Sequence, residues 1–338
     1  AGAGGRGVNA VHGGPDVQGV PLHDFSTNAN ACGPCPQARA ALRAADRRCY
    51  PDPAYTALRA QLAAFHGVAP ERVVVAGSAS EFIHRISAFA ARAGLRHAVL
   101  PAHGYGDYAR AAAVWGLAEW GAADGHAPPP ALHWACEPGS PLGTADAALA
   151  RWAGEGAAPG ALRVLDCAYA PLRLEGAATT PPAGAWQMWT PNKALGLTGV
   201  RAAYAIAPDA AQAAAVQALA PSWPLGADGV ALLGTWTDAG AQAWLARSLA
   251  TLRTWKAAQL RLCAALDWAV VPGSQANYFT ARLPLAVADV APALQALRAQ
   301  GVKLRDCASF GLPGHVRLGV LGPGAQRALR AAWLLLNQ

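Results

Sequence analysis

The chain is poor in lysine. Of its 27 basic residues only Lys193, Lys256 and Lys303 are lysines, and the other 24 are arginines. It also lacks a basic tract. The formal charge of +7 is scattered along 338 residues, with nothing denser than pairs such as Arg47-Arg48, which argues against nucleic acid as a partner. No apolar run approaches the roughly 20 residues of a membrane span. Even the apolar stretch 109–123 contains Arg110 and Glu119. The first 20 residues lack the basic start and apolar centre of an export signal, and tandem repeats are absent. The expectation is a cytoplasmic protein that engages neither a membrane nor nucleic acid.

Metal-like cysteine spacing is missing too. There are seven cysteines, but no second CxxC accompanies Cys32-Gly33-Pro34-Cys35, so no metal site is expected. That one CxxC spells a redox dithiol. Such a dithiol needs a strand before it and a helix N-terminus that lowers the thiol pKa. Here a polar loop with Asn28 and Asn30 precedes it, and reduced cytoplasmic thiols are the expectation.

What is present is an apolar chain, 53% hydrophobic, long enough for two domains or one large one. Its pattern alternates strand and helix, which predicts a mostly parallel sheet covered by helices. Strands are expected at 73–75, 97–100, 132–136, 162–166 and 185–190. Helices are expected at 36–48, 53–66, from Ser80 to about Arg92, 105–115 and 144–153, with Pro128-Pro129-Pro130 as a surface connection. From about Ala227 a long helical pattern runs to Leu266, its Trp and Leu residues near helical spacing. Strands at 277–283, 302–306 and 315–320 and helices at 287–300 and 323–336 follow, which predicts a smaller α+β unit.

Lysine scarcity draws attention to the lysines that remain. A guanidinium stays protonated, whereas an amine can lose its proton and condense with an aldehyde. Lys256 falls on the polar side of the long helix and Lys303 at a strand start, both readable as surface lysines. Lys193 differs. It follows the strand-like run Trp186 to Trp189 and a tight Thr190-Pro191-Asn192 bend, and it precedes Gly196-Leu197-Thr198-Gly199-Val200-Arg201.

This run, with Tyr204 beyond it, resembles the lysine signature of the class I/II aminotransferases, a superfamily of fold-type-I enzymes that use pyridoxal 5′-phosphate (PLP). The resemblance implies a large α/β domain with a mostly parallel seven-stranded sheet plus a small α+β domain. The corresponding boundaries are residues 40–226 for the cofactor-binding domain, with 1–39 and 227–338 forming the small one. It implies that Lys193 is the Schiff-base lysine and that Thr190 and Arg201 clamp the cofactor phosphate, a charge-assisted arrangement. Leu165-Asp166-Cys167-Ala168-Tyr169 is similar to the segment that sets a carboxylate on the pyridine nitrogen and a phenol on the ring hydroxyl. Gly77-Ser78-Ala79-Ser80 resembles the phosphate cradle, where backbone N–H groups at a helix N-terminus suit a dianion. Tyr105 matches the aromatic that stacks on the ring. Tyr50, in Tyr50-Pro51-Asp52, matches the tyrosine that reaches the phosphate of a neighbouring subunit, which implies a homodimer.

Two positions depart from the pattern. Asn192 stands where a hydroxyl usually precedes the lysine. Ser140, in Pro138-Gly139-Ser140-Pro141-Leu142-Gly143, stands where an asparagine usually bonds the ring hydroxyl. Within the superfamily the chain is most similar to the threonine-phosphate decarboxylases of cobalamin biosynthesis, with the histidinol-phosphate aminotransferases as near relatives. His12-Gly13-Gly14, the LHDFSTNAN stretch that ends at Asn30, Arg305-Asp306-Cys307 and Val316-Arg317-Leu318 carry that similarity. It implies a small phosphorylated amino-acid substrate held by Arg305 and Arg317, with His12, Asn30 and Asn277 around it. Decarboxylation of L-threonine O-3-phosphate is the expected reaction and transamination the alternative. The departures at Ser140 and Asn192 leave a third reading, a PLP-binding protein with impaired catalysis.

Overall fold

The computed structural model describes residues 12–120, 130–154 and 159–336. Seven strands form the larger sheet: β1 (Val73–Ala76), β2 (His97–Val99), β3 (Ala118–Glu119), β4 (Leu132–Cys136), β5 (Leu162–Asp166), β6 (Trp186–Trp189) and β7 (Ala203–Ile206). Their order is β1-β7-β6-β5-β4-β2-β3. β7 runs antiparallel to both its neighbours and every other pairing is parallel, so the mostly parallel sheet is borne out. Val73, Val74 and Val75 are buried along the whole of β1, as expected of strands covered on both faces.

The second sheet is antiparallel. It comprises β8 (Ala269–Val270), β9 (Tyr278–Arg282), β10 (Arg305–Asp306) and β11 (His315–Gly319), in the order β10-β11-β9-β8. Arg305 lies directly opposite Arg317 on β10 and β11. The N-terminal segment joins this unit through a short parallel pairing of His23–Asp24 with Val302–Lys303. The expected strand at 302–306 is therefore two pieces that serve two different partners.

Other differences have local causes. The long helical run breaks into two helices, Ala227–Trp236 and Ala239–Ala265. Asp238 is extended there, and the Gln242 side chain donates to the freed Trp236 carbonyl at 2.6 Å, which terminates the first helix. The first expected helix stops at Ala44, because Ala45 is extended and the Asp46 carboxylate captures the Arg48 N–H. The second starts only at Thr56, since Asp52 draws the N–H groups of Ala54 and Thr56 into a turn. β7 was not expected: Ala-Tyr-Ala-Ile carries little of the β-branched signal that marks strands. β3, β8 and the helix Ala210–Gln217 were also unexpected. Of the triple-proline connection, Pro128 and Pro129 lie outside the described residues; Pro130 is exposed.

Lys256 is a clear correction. It is only 3% exposed, and its ammonium donates to the Ser274 carbonyl at 2.6 Å and to the Glu175 carboxylate at 2.9 Å. The inward stripe of the helix Ala239–Ala265 carries Ser248, Lys256 and Gln259 beside Leu245 and Leu252, so polarity alone does not mark which side faces inward. Lys303 is also partly buried; it donates to the Gly14 carbonyl at 2.6 Å and to Asp16 at 2.9 Å. No helix among the described residues is long and apolar enough to cross a membrane.

Candidate active site

The carboxyl ends of the parallel strands converge on one large cavity of about 1700 Å³, the position where open α/β sheets bind ligands. Asp166 closes β5 and lies on the cavity wall, 4% exposed. One carboxylate oxygen accepts the Ala168 N–H at 2.8 Å. The other accepts a short hydrogen bond from the hydroxyl of Tyr108. Burial raises the Asp166 pKa above the usual carboxylate range. The Tyr108 and Ala168 hydrogen bonds and the charge of Lys193 oppose that rise. Tyr108 itself is wholly buried and its phenol is pushed far up, first by burial and then by Asp166, so it keeps its proton and donates. Its ring stacks on Trp134 at 4.5 Å. In the sequence nothing marks Tyr108 apart from its place three positions after Tyr105, in the first turn of a helix that starts at Gly106.

Lys193 emerges from the bend after β6. Its Nζ lies 5.1 Å from the centroid of the Tyr169 ring, and both residues line the cavity. The bend is firmly braced. Asn30 donates its backbone N–H to the Lys193 carbonyl at 2.9 Å and its side-chain amide to the Ala194 carbonyl at 3.0 Å. Asn192 accepts the Lys193 N–H through its side-chain oxygen at 3.0 Å, so the departure at this position stitches the loop. The CxxC also serves this bracing. The Cys35 N–H donates to the Leu195 carbonyl at 2.8 Å. A Cβ on Gly33 would lie 2.9 Å from the Cα of Gly196, so only glycine lets the two loops meet. Cys32 and Cys35 are free thiols.

An anion site lies beside the lysine. The Thr190 hydroxyl is buried and has no hydrogen-bond partner among the described residues. Arg201 is exposed on the cavity wall and, among the described residues, engages no carboxylate. Opposite them begins the helix Ala79–Arg92. The Ser78 hydroxyl caps it by accepting the Glu81 N–H at 3.1 Å, and the Glu81 carboxylate accepts the Gly77 N–H just before the cap at 3.0 Å. Ser78, Ala79 and Ser80 all line the cavity, and the free N–H groups of a helix start favour a phosphate there. An orphaned hydroxyl, an uncommitted guanidinium, a helix start, a buried carboxylate and a lysine amine around one cavity together fit PLP. No cluster of His, Cys, Asp or Glu among the described residues could hold a metal ion.

The second group of expected residues gathers at the same cavity. Arg305 and Arg317 flank the Phe310 ring, with guanidinium carbons 4.8 and 5.8 Å from its centroid. Burial, and then the charge of Arg317, push the Arg305 pKa down, so an anion between the two would relieve their repulsion. His12 lines the cavity with its ring 6.2 Å from that of Tyr105, and Tyr105 packs edge-on against Tyr108 at 5.8 Å. Asn277 is revised as a lining residue, while Ser140 and Tyr50 make contacts that the sequence did not suggest. The Ser140 hydroxyl, expected at the cofactor ring, accepts a hydrogen bond from Arg317 at 2.8 Å. Asn277 is fully buried away from the cavity wall, its amide donating to the Asn28 carbonyl at 3.0 Å. Tyr50 is absent from the wall; it is 77% exposed and stacks on Trp223 at 4.3 Å.

Comparison with known proteins agrees with this geometry. The family model for aminotransferase class I and II matches residues 174–330. A histidinol-phosphate aminotransferase of Symbiobacterium thermophilum is 30% identical over 348 residues, covering 92% of this chain and 91% of that protein. The fold is shared with the histidinol-phosphate aminotransferase from Sinorhizobium meliloti in complex with pyridoxal-5′-phosphate. The TM-score is 0.74 at 21% identity, over 91% of this chain and 90% of that one. It is shared equally with the L-threonine-O-3-phosphate decarboxylase from Porphyromonas gingivalis, at a TM-score of 0.75 and 20% identity over 93% and 99% of the two chains. The chain belongs to the class I and II aminotransferase family and is a pyridoxal-phosphate-dependent enzyme.

Proposed function

We propose that this enzyme is a carboxy-lyase that converts L-threonine O-3-phosphate into (R)-1-aminopropan-2-ol O-phosphate, the decarboxylation that belongs to cobalamin biosynthesis. The observation that carries the reading is the pairing of Arg305 and Arg317 around Phe310, with His12 on the same cavity wall. A substrate with both a carboxylate and a phosphate needs at least two cationic anchors.

Lys193 would hold the cofactor through its amine. Thr190, Arg201 and the Ser78-Ala79-Ser80 helix start would hold the cofactor phosphate, Tyr105 would cover the ring, and Asp166 and Tyr169 would meet the ring nitrogen and the ring hydroxyl. When bound, PLP supplies a ring that takes up the electron pair of one broken Cα bond. The arginines decide which bond breaks, because they fix the substrate's rotation about Cα. The C–COO⁻ bond breaks, CO₂ leaves, and the Lys193 ammonium returns a proton to Cα. The enzyme works as a homodimer, with the exposed Tyr50 reaching the neighbouring subunit's phosphate site. Its stack on Trp223, outside its own cavity, suits that reach. Residues 40–226 form the cofactor-binding domain, and residues 1–39 and 227–338 the smaller one.

A second reading is transamination of histidinol phosphate, favoured by the 30% identical relative. Incubation with each substrate separates the two. Release of CO₂ from threonine phosphate with no 2-oxo acid present supports the lyase; glutamate-dependent turnover of the histidinol-phosphate couple overturns it. Lys193→Ala should abolish cofactor fixed by borohydride, and fixation at Lys256 or Lys303 would refute the assignment of the lysine.

A further inference from the structure

One residue, Ser26, links the N-terminal arm to Arg317 on the cavity wall. His12, Gly13, Gly14 and Pro15 line the cavity. The arm is latched from outside: Asp16 accepts two hydrogen bonds from Arg298, at 3.0 and 2.8 Å, and one from Lys303 at 2.9 Å. Arg298 first and then Lys303 hold that carboxyl well below the usual range. Inside the latch stands Ser26, fully buried. Its hydroxyl accepts the Gly14 N–H at 2.8 Å and donates to Asp24 at 2.5 Å. Its carbonyl accepts a hydrogen bond from Nη2 of Arg317 at 2.6 Å, while Nη1 of the same guanidinium is held by Ser140. The arm packs onto that carbonyl so closely that a Cβ on Gly13 would fall 2.1 Å from its oxygen.

We propose that Ser26 is a positioning residue that sets Arg317 for its anion only while the arm lies in place, its hydroxyl holding the arm and its carbonyl holding the guanidinium. The proposal deepens the reading given above and rests on Arg317 contacting a substrate anion. A guanidinium presents its donors in a fixed plane. With one terminal nitrogen on Ser26 and the other on Ser140, the plane can turn only if one bond breaks. Displacement of the arm removes the hydrogen bond to the Ser26 hydroxyl and the Gly13 contact that backs the carbonyl, which frees the Ser26 peptide to rotate.

Three variants test this: Ser26→Ala, Ser26→Thr and Gly13→Ala, with Arg317→Gln as reference. Ligand binding is read by calorimetry with L-threonine O-3-phosphate on the cofactor-free chain, and KM and kcat on the cofactor-loaded enzyme. Ser26→Ala should weaken binding about fivefold, the size of one neutral hydrogen bond, and Ser26→Thr should restore it. Gly13→Ala, which forces the carbonyl off a charged donor, should cost about tenfold or more. Both effects should fall on KM, with kcat and the dissociation constant of PLP unchanged. A purely structural defect would lower cofactor affinity as well and would not be rescued by threonine. If Arg317→Gln abolishes binding while Gly13→Ala and Ser26→Ala bind normally, the coupling is refuted and the role of Arg317 survives. If Arg317→Gln itself binds normally, the role of Arg317 fails and the coupling with it.

Discussion

Tyr108→Phe is the substitution that isolates the electrostatics of Asp166. The hydroxyl of Tyr108 donates a short hydrogen bond to one oxygen of a carboxylate that is 4% exposed. Phenylalanine keeps the ring stacked on Trp134 and removes one oxygen atom only, so the packing cost is small. The electrostatic cost is not. A hydrogen bond to a charged group contributes about 1.5–3 kcal/mol, which corresponds to a factor of roughly ten to a hundred in the proton affinity of Asp166. The sign follows from the ion's surroundings. Burial already favours the protonated acid, and Tyr108 is the first of the groups that oppose it. Without Tyr108 the carboxylate takes up its proton at higher pH.

The assay is an infrared titration of the cofactor-free protein, following the carboxyl stretch of Asp166 against an Asp166→Asn blank. The titration midpoint should move upward in Tyr108→Phe. The affinity for PLP should fall by up to the same factor at pH values where the variant's carboxyl is protonated, because a neutral acid no longer attracts a pyridinium. The other titratable neighbours facing Asp166 are Lys193, Cys136, Cys167, Tyr105 and Tyr278, and none is altered by the substitution. A midpoint identical in the two proteins would refute the reasoning, whatever happened to turnover.

Two further predictions concern stability. Gly33→Ala places a Cβ 2.9 Å from the Gly196 Cα and 3.2 and 3.3 Å from the Asn30 and Leu195 carbonyls. None of these backbone atoms can swing aside, so the variant should lose about 1–3 kcal/mol and cofactor occupancy together; an unchanged melting temperature counts against the bracing role of the CxxC loop. His66, desolvated beside Tyr204, titrates at about 4 in the folded chain, against 6.5 ordinarily. Between those values the unfolded chain binds more protons, so stability falls as the pH drops through that window, by roughly 2–3 kcal/mol at its foot. Urea midpoints measured from pH 6.5 to 4 should therefore slope less steeply for His66→Gln than for the unaltered protein, and parallel slopes would overturn the assignment.

How far the sequence could be read depended on how local each interaction is. Lys193, Thr190 and Arg201 were legible because one loop carries all three, and the chemistry of an amine differs from that of a guanidinium in kind. Asp166 was legible as the end of a buried strand. Tyr108 was not, because its partner lies 58 positions away and meets it only when the sheet order sets β5 beside β4. The bond between Ser140 and Arg317 was illegible for the same reason, since the two are 177 positions apart. Asn277 looked like a lining residue because it is polar, yet its amide is taken up by the Asn28 carbonyl in the protein interior, and polarity alone does not place a side chain on a wall. β7 escaped because alanine outweighs its one β-branched residue, and the helix Ala239–Ala265 concealed the burial of Lys256 because its inward stripe carries Ser248 and Gln259 beside its apolar residues.

Scarcity of lysine was a sound pointer to Lys193 for a reason that the other two lysines refine. Lys256 and Lys303 are not surplus surface charges; each sets a compact ammonium against a backbone carbonyl at 2.6 Å and a carboxylate at 2.9 Å. Three donors around a single nitrogen can meet a carbonyl and an acid at right angles to each other, where the planar fork of arginine meets groups lying in one plane. What separates Lys193 from the others is the company its nitrogen keeps: it faces the Tyr169 ring on the cavity wall, and among the described residues no carbonyl anchors it. An amine without such an anchor can turn toward a carbonyl carbon brought into the cavity, and that freedom to move, more than rarity, marks the reactive lysine.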